Sequence, residues 1–325
     1  YSVAEGTTAV GTVTTTDADA GATFTYTLSG TDADSFEITK TEGTQAGVLV
    51  FKAASTPDFE TQTSYSLNVV VSDTLNTTTE AIVVNITNVN DNNPVFSSST
   101  SESINEGQTS VSNVVASDTD GNTIAYSLSG TGDADLFAID SSTGALTMTA
   151  PDFESPTDTF GTTGDNVYGV TVKATDSGTP ANTATHNISV TVVDTNDNSP
   201  VLTAAETYSV AEGTTAVGTV TTTDADAGAT FTYTLSGTDA DSFEITKTEG
   251  TQAGVLVFKA ASTPDFETQT SYSLNVVVSD TLNTTTEAIV VNITDTNDEA
   301  PELTVATPYS VAEGTTAVGT VTTTD

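Results

Sequence analysis

Phe24-Thr25-Tyr26-Thr27-Leu28 alternates large apolar residues with threonine. In an extended chain successive side chains point to opposite faces, so Phe24, Tyr26 and Leu28 share one face. The same period runs through Tyr65, Leu67, Val69 and Val71, with Ser66, Asn68 and Val70 opposite, and through Ile82, Val84 and Ile86. Further along, Ile124, Tyr126 and Leu128 repeat the first set, and Ile188, Val190 and Val192 the last. One apolar face per strand predicts antiparallel sheets stacked face to face. The bias toward Val, Thr, Tyr and Phe suits such half-buried pleated surfaces. About seven strands in roughly 100 residues predict an all-β chain of seven-stranded Greek-key β-sandwiches.

The sandwiches come in tandem. Tyr1–Thr87 returns unchanged as Tyr208–Thr294, and Tyr1–Asp17 returns a third time as Tyr309–Asp325. A diverged copy lies between. The expected domains are residues 1–96, a diverged repeat at 97–202, a third repeat at 203–303 and the start of a fourth at 304–325. Short glycine-free segments ending in Asn93-Pro94, Ser199-Pro200 and Ala300-Pro301 join them. Proline fixes its own φ and extends the residue before it, so these joints predict a stiff array. Because Asp325 falls inside a motif, the sequence reads as a slice of a longer chain.

Forty-four acidic residues stand against five basic ones, for a net charge of −39. Such a surface repels phosphate backbones and anionic lipid, which excludes nucleic acid and membrane surfaces as partners. No cysteine is present to stiffen the array, and no apolar run is long enough to span a bilayer. The acidity is either diffuse, for solubility, or organised around a cation.

The diverged copy decides between these. Unit one carries Glu5-Gly6, Asp17-Ala18-Asp19, Pro57-Asp58-Phe59-Glu60, Asp73 and Asn90-Asp91-Asn92. The diverged unit carries Glu106-Gly107, Asp118-Thr119-Asp120, Pro151-Asp152-Phe153-Glu154, Asp176 and Asp194-Thr195-Asn196-Asp197-Asn198. Loop lengths change, yet the acids keep their order. This set closely resembles the cadherin repeat, with its Glu near the first strand, D-x-D, D-x-E, strand-end Asp and D-x-N-D-N-x-P linker. Singly these motifs are weak; together they are specific.

The resemblance implies calcium at each junction, about three ions where the junction is complete, with oxygen ligands drawn from both neighbours. It implies Glu106, Asp152, Glu154, Asp194, Asn196, Asp197 and Asn198 from below the middle junction, and Asp224, Asp226 and Asp280 from above. Eight of these ten are carboxylates, which would repel strongly without metal. The first junction would use Glu5, Asp58, Glu60, Asn90, Asp91, Asn92, Asp118, Asp120 and Asp176. Asn88 stands there where the pattern has Asp, so weaker binding is expected. The third would use Glu212, Asp265, Glu267, Asp295, Asn297 and Asp298, with Glu299 replacing an Asn and Asp325 opening the next repeat. Asp17, Asp19 and Asp73 would serve a junction below Tyr1.

Plainer readings apply elsewhere. Asp120-Gly121 is also a turn dipeptide. An EF-hand from Asp118 fails, because Gly121 falls at loop position 4 and Ser129 occupies position 12. Phe59, Phe153 and Phe266 read as core anchors holding the flanking acids. Tyr1, Tyr208 and Tyr309 read as packing residues. The lone histidine, His186, reads as a solvent-facing strand residue; with no Cys partner, zinc and nucleophilic sites are not expected. Carboxylate pairs recurring in every unit fit calcium better than glycoside cleavage. Sequons such as Asn76-Thr77-Thr78 and Asn85-Ile86-Thr87 arise easily in a Thr- and Asn-rich chain.

The expectation is a non-enzymatic, calcium-rigidified extender of a cell-surface adhesin. Near-identical copies and the absence of Cys suggest a bacterial one. A subunit of an extracellular fibre or sheath, and a module binding identical chains or surface polysaccharide, are the alternatives. Partners would be neighbouring repeats of the same chain, and beyond them identical chains or surface glycans.

Overall fold

The computed structural model describes residues 1–42, 44–130, 132–305 and 307–324. It divides into two compact units, Tyr1–Val193 and Asp194–Asp325, each treated by itself below.

In the first unit, β1 (Ser2–Ala4), β2 (Ala9–Thr14), β3 (Thr25–Ser29), β4 (Phe36–Lys40), β5 (Ala46–Phe51), β6 (Ser64–Ser72) and β7 (Thr77–Thr87) make one sandwich. The sheets run β1-β7-β6-β3 and β2-β5-β4. Only β4–β5 and β6–β7 are hairpins within a sheet; the other connections cross between sheets, which is the Greek-key arrangement. Register follows the alternation: Tyr26 faces Val71, Leu28 faces Val69, and Tyr65 faces Val84. Val3, Phe36, Leu49, Phe51, Tyr65, Leu67, Val84 and Ile86 fill the core. Tyr1 lies across Gly11, where a Cβ would fall 2.6 Å from its ring.

The diverged repeat has β8 (Val95–Phe96), β9 (Ser101–Asn105), β10 (Ser110–Asn113), β11 (Ala116–Ser117), β12 (Ile124–Ser129), β13 (Phe137–Ile139), β14 (Ala145–Met148), β15 (Val167–Asp176) and β16 (Thr183–Val193). Its sheets are β12-β15-β16-β9 and β10-β14-β13, with β8 paired to β11. His186 is half-buried rather than solvent-facing: its ring stacks on Phe96 with centroids 4.9 Å apart, and Nε2 lies 2.9 Å from the Ser99 carbonyl.

Two buried aspartates shape the long loop before β15. Asp158 accepts the N–H groups of Gly164, Asp165 and Asn166. Asp133 accepts the Thr159 N–H at 2.6 Å, its hydroxyl at 2.8 Å and the Gly169 N–H at 2.9 Å. Burial pushes the Asp133 carboxyl up, but these donors outweigh it and hold the group below its usual range. Its contribution is therefore complete above the ordinary Asp range and is lost as pH falls through the lowered value. Asp133→Ala is expected to destabilise this repeat by about 2–4 kcal/mol in urea unfolding, because it strands buried N–H groups.

The second unit holds β17 (Val201–Thr203), β18 (Thr207–Ala211), β19 (Ala216–Thr223), β20 (Thr232–Ser236), β21 (Phe243–Lys247), β22 (Ala253–Phe258), β23 (Ser271–Ser279) and β24 (Thr284–Thr294), followed by the pair β25 (Glu302–Thr304) and β26 (Thr322–Thr324). Its sandwich sheets are β17-β19-β22-β21 and β18-β24-β23-β20.

The strands just after the linker prolines were not foreseen. β17 adds to the edge of a sheet of the sandwich that follows, where Leu202 is buried, while β8 pairs with β11 as a separate two-stranded ribbon. The identical copies show what this does. Val220 and Val278 are fully buried beside β17, whereas the same residues in the first copy, Val13 and Val71, are half-exposed. There β2 is a sheet edge and an open groove of ≈ 570 Å³ lies beside it.

Candidate metal centre

The first junction lies wholly within the first unit. Glu5, at the end of β1, is buried at 5 % exposure. Its Oε2 accepts the Phe59 N–H and its Oε1 the Val89 N–H, both at 2.7 Å. One carboxylate thus ties the first strand, the Asp58-Phe59-Glu60 turn and the linker together. Phe59 packs against the core, as its anchoring role requires. Asp58 is oriented by the Thr61 N–H and hydroxyl, both at 3.0 Å.

Oxygens of Glu5, Asp58 and Glu60 come within 4.8 Å of one another, as do those of Glu60, Asp91 and Asp120. Glu60 belongs to both groups, so the acids of one repeat, the linker and the next repeat form a continuous cluster. Burial first, then the charges of Glu5 and Asp120, push the Glu60 carboxyl up. Burial and the charges of Glu5, Asp120 and Asp58 do the same to Asp91. Without a cation, these charges disfavour the closed junction.

On the far side, Asp120 accepts the Asn92 N–H at 2.9 Å and its Nδ2 at 2.7 Å. Asp118 Oδ1 accepts the Asp120 N–H at 3.0 Å, while its Oδ2 is buried with no hydrogen-bond partner. Asp176 ends β15 at 4 % exposure and takes Asn90 Nδ2 at 3.1 Å on both oxygens. Asn90 lies flat on Gly178, where a Cβ would sit 2.0 Å from its Cγ. Asn88 Nδ2 donates to the Asp120 carbonyl at 2.9 Å.

Two residues here escaped the motif reading. Asn122 donates its amide to Asn90 Oδ1. Asn182 donates Nδ2 to the carbonyls of Asn90 at 3.1 Å and Asn92 at 2.9 Å. The available signal was an Asn after every strand-end Asp, at Asn76, Asn182 and Asn283. A longer loop shifts its spacing from three residues to six in the diverged copy, which hid it.

The residues assigned to the middle junction divide between the two units. In the first, Glu106 is buried and accepts the Phe153 N–H at 2.8 Å, and Asp152 accepts the N–H groups of Glu154 and Ser155. In the second, Asn198 Nδ2 donates to Asp226 at 2.8 Å and Asn196 Nδ2 to the Asp280 carbonyl at 3.3 Å. Asp194 Oδ2 takes the Ala227 N–H at 2.6 Å. Asp194 Oδ1 and Asp224 Oδ2 are buried without partners. Asn198 Nδ2 also reaches Asp197. Burial pushes Asp280 up, but the Asn283 and Leu282 N–H groups hold it lower.

Glu212 repeats the Glu5 geometry, accepting Phe266 N–H at 2.8 Å and Thr296 N–H at 2.5 Å. Its oxygens group with those of Glu267 and Asp295, while Asp265 is held by Thr268. Asn297 and Asp298 are exposed, and Asp325 lies outside the described residues. In the first copy Asp17 and Asp19 are exposed and Asp73 half-buried, whereas their counterparts Asp226 and Asp280 are buried against the linker.

This arrangement matches known proteins. A family profile for the cadherin domain covers residues 100–193. These are cadherin repeats. The chain is 34 % identical over 276 residues to mouse Cadherin EGF LAG seven-pass G-type receptor 2, with 79 % of this chain aligned to 9 % of that protein. It is 30 % identical over 268 residues to human Protocadherin-23, with 79 % of this chain aligned to 8 % of that one. It therefore spans under a tenth of the length of these relatives. Among solved structures, the Protocadherin GammaB4 extracellular domain superposes over all of this chain and 53 % of its own, at TM-score 0.73 and 24 % identity, a likeness of fold. Mouse Cadherin-23 EC22-24 superposes over 91 % of this chain and 95 % of its own, at TM-score 0.61 and 26 % identity. Cadherin repeats are modules of extracellular, cell-surface adhesion proteins and not enzymes. The relatives named here are mammalian, so the expected likeness to bacterial adhesins finds no support in them.

Proposed function

We propose that this chain is an extracellular extender of an adhesion protein, stiffened by calcium at its repeat junctions. The observation that carries this reading is the first junction, where Glu60, Asp91 and Asp120 converge from two repeats and their linker. The donor set fits a hard cation, since it offers only carboxylate, amide and carbonyl oxygens, and Asp118 Oδ2 is buried without a proton donor. Glu5, Asp58, Glu60, Asp91, Asp118, Asp120 and Asp176 would hold it, with the linker asparagines beside them. Calcium supplies positive charge that converts mutual repulsion into a bridge. About three ions per complete junction follow from the family resemblance.

The proposed domain limits lie N-terminal to β8, β17 and β25, because these strands pair with strands of the repeat that follows. Extracellular calcium modules bind at roughly 10⁻⁴–10⁻³ M, so junctions fill outside cells. Thermal unfolding in EDTA, magnesium and calcium tests the reading. Calcium should raise Tm well beyond magnesium; equal effects of the two ions would reduce the acids to a solvated surface.

A further inference from the structure

The first linker is held unequally by its two neighbours. In the first junction, among the described residues, the Val89 N–H to Glu5 is the hydrogen bond from the linker back to the preceding repeat. Forward of it, the linker is seated by many. Asn90 Nδ2 reaches Asp176 and, at 2.6 Å, the Pro180 carbonyl. Asn92 holds Asp120 through backbone and side chain. Asn182 closes over the top, donating to two linker carbonyls. None of these bonds needs a metal.

The second unit repeats the seat in a different loop. Asn283 Nδ2 donates to the Asn198 carbonyl at 2.8 Å and Asn196 Oδ1 at 3.2 Å, and Thr285 Oγ1 to the Pro200 carbonyl at 2.5 Å.

We infer that the first linker is a fixed part of the repeat that follows it, clamped by the positioning residue Asn182, with Asn283 seating the Asn196–Pro200 stretch of the second unit in the same way, and that the first joint opens on the side of the preceding repeat when calcium leaves. The inference deepens the calcium reading and rests on it for what closes the joint. The acids then fall into a fixed half, Asp91, Asp118, Asp120 and Asp176, and a moving half, Glu5, Asp58 and Glu60. Their like charges push the halves apart at this boundary.

The identical copies supply the control. Asn76 makes the same bond to its own Asp73, at 3.3 Å, that Asn283 makes to Asp280 at 3.4 Å. Only Asn283 also clamps a linker. Hydrogen exchange is measured on the full chain in EDTA, on peptides spanning 89–93 and 195–199, which are unique in the sequence. The wild-type linkers should stay protected. Asn283→Ala should speed exchange in 195–199 by roughly fivefold or more, from two lost bonds, with Asn76→Ala unchanged. Asn182→Ala should do the same to 89–93. Free-chain exchange of wild-type linkers in EDTA, or equal behaviour of the Asn283 and Asn76 variants, would overturn the inference. The calcium reading fails separately, on a missing calcium-dependent melting shift, and the exchange contrast decides the seat in either case.

Discussion

Phe36→Ala is expected to cost about 3–5 kcal/mol, the largest effect of any single side chain in the first repeat. Phe36 is fully enclosed, its ring centroid 4.2 Å from Phe51 and 5.7 Å from Tyr65. Truncation removes apolar burial, two aromatic contacts and the packing around them. Phe243 sits in the same triad, at 4.1 Å from Phe258 and 5.7 Å from Tyr272. Because the surrounding 87 residues are identical, Phe243→Ala should cost the same if each repeat folds on its own core. Urea unfolding followed by tyrosine fluorescence measures both. A larger residual stability after Phe243→Ala than after Phe36→Ala would measure what β17 and the linker add.

The second large effect belongs to Asp91. Calcium at about 100 times its dissociation constant stabilises a site by about 2.7 kcal/mol per ion. Asp91 lies between the acids of the preceding repeat and Asp120. Asp91→Ala should therefore abolish most of that calcium-linked stability at the first junction, while in EDTA it should be neutral or slightly stabilising, since it removes one member of a repelling cluster. Melting curves of the variant with and without calcium check both arms. A variant that loses stability equally in EDTA and calcium would mean that Asp91 is structural.

Strand alternation and the order of the acids were legible because they depend on local periodicity and fixed motif spacing. Tyr65, Leu67, Val84 and Ile86 entered the core as the period of two requires. Phe59 packs against the core, in line with its reading as an anchor for the flanking acids; its N–H bond to Glu5 was not foreseen. What was not legible depended on partners distant in sequence. Val201-Leu202-Thr203 is too short to read as a strand, and only the exposed edge of β19 makes it one. His186 sits in an alternating strand, but Phe96, 90 positions earlier, covers its face. The clamp by Asn182 was masked by a loop insertion, and the Asn88 bond to the Asp120 carbonyl was hidden because its partner is a backbone group that no motif records.

Small-angle scattering of this chain, in EDTA and then in millimolar calcium, tests most directly whether the junctions are calcium-closed. The account predicts a broad distribution of shapes in EDTA that sharpens into one extended particle with calcium and not with magnesium. Identical scattering in all three conditions would contradict it.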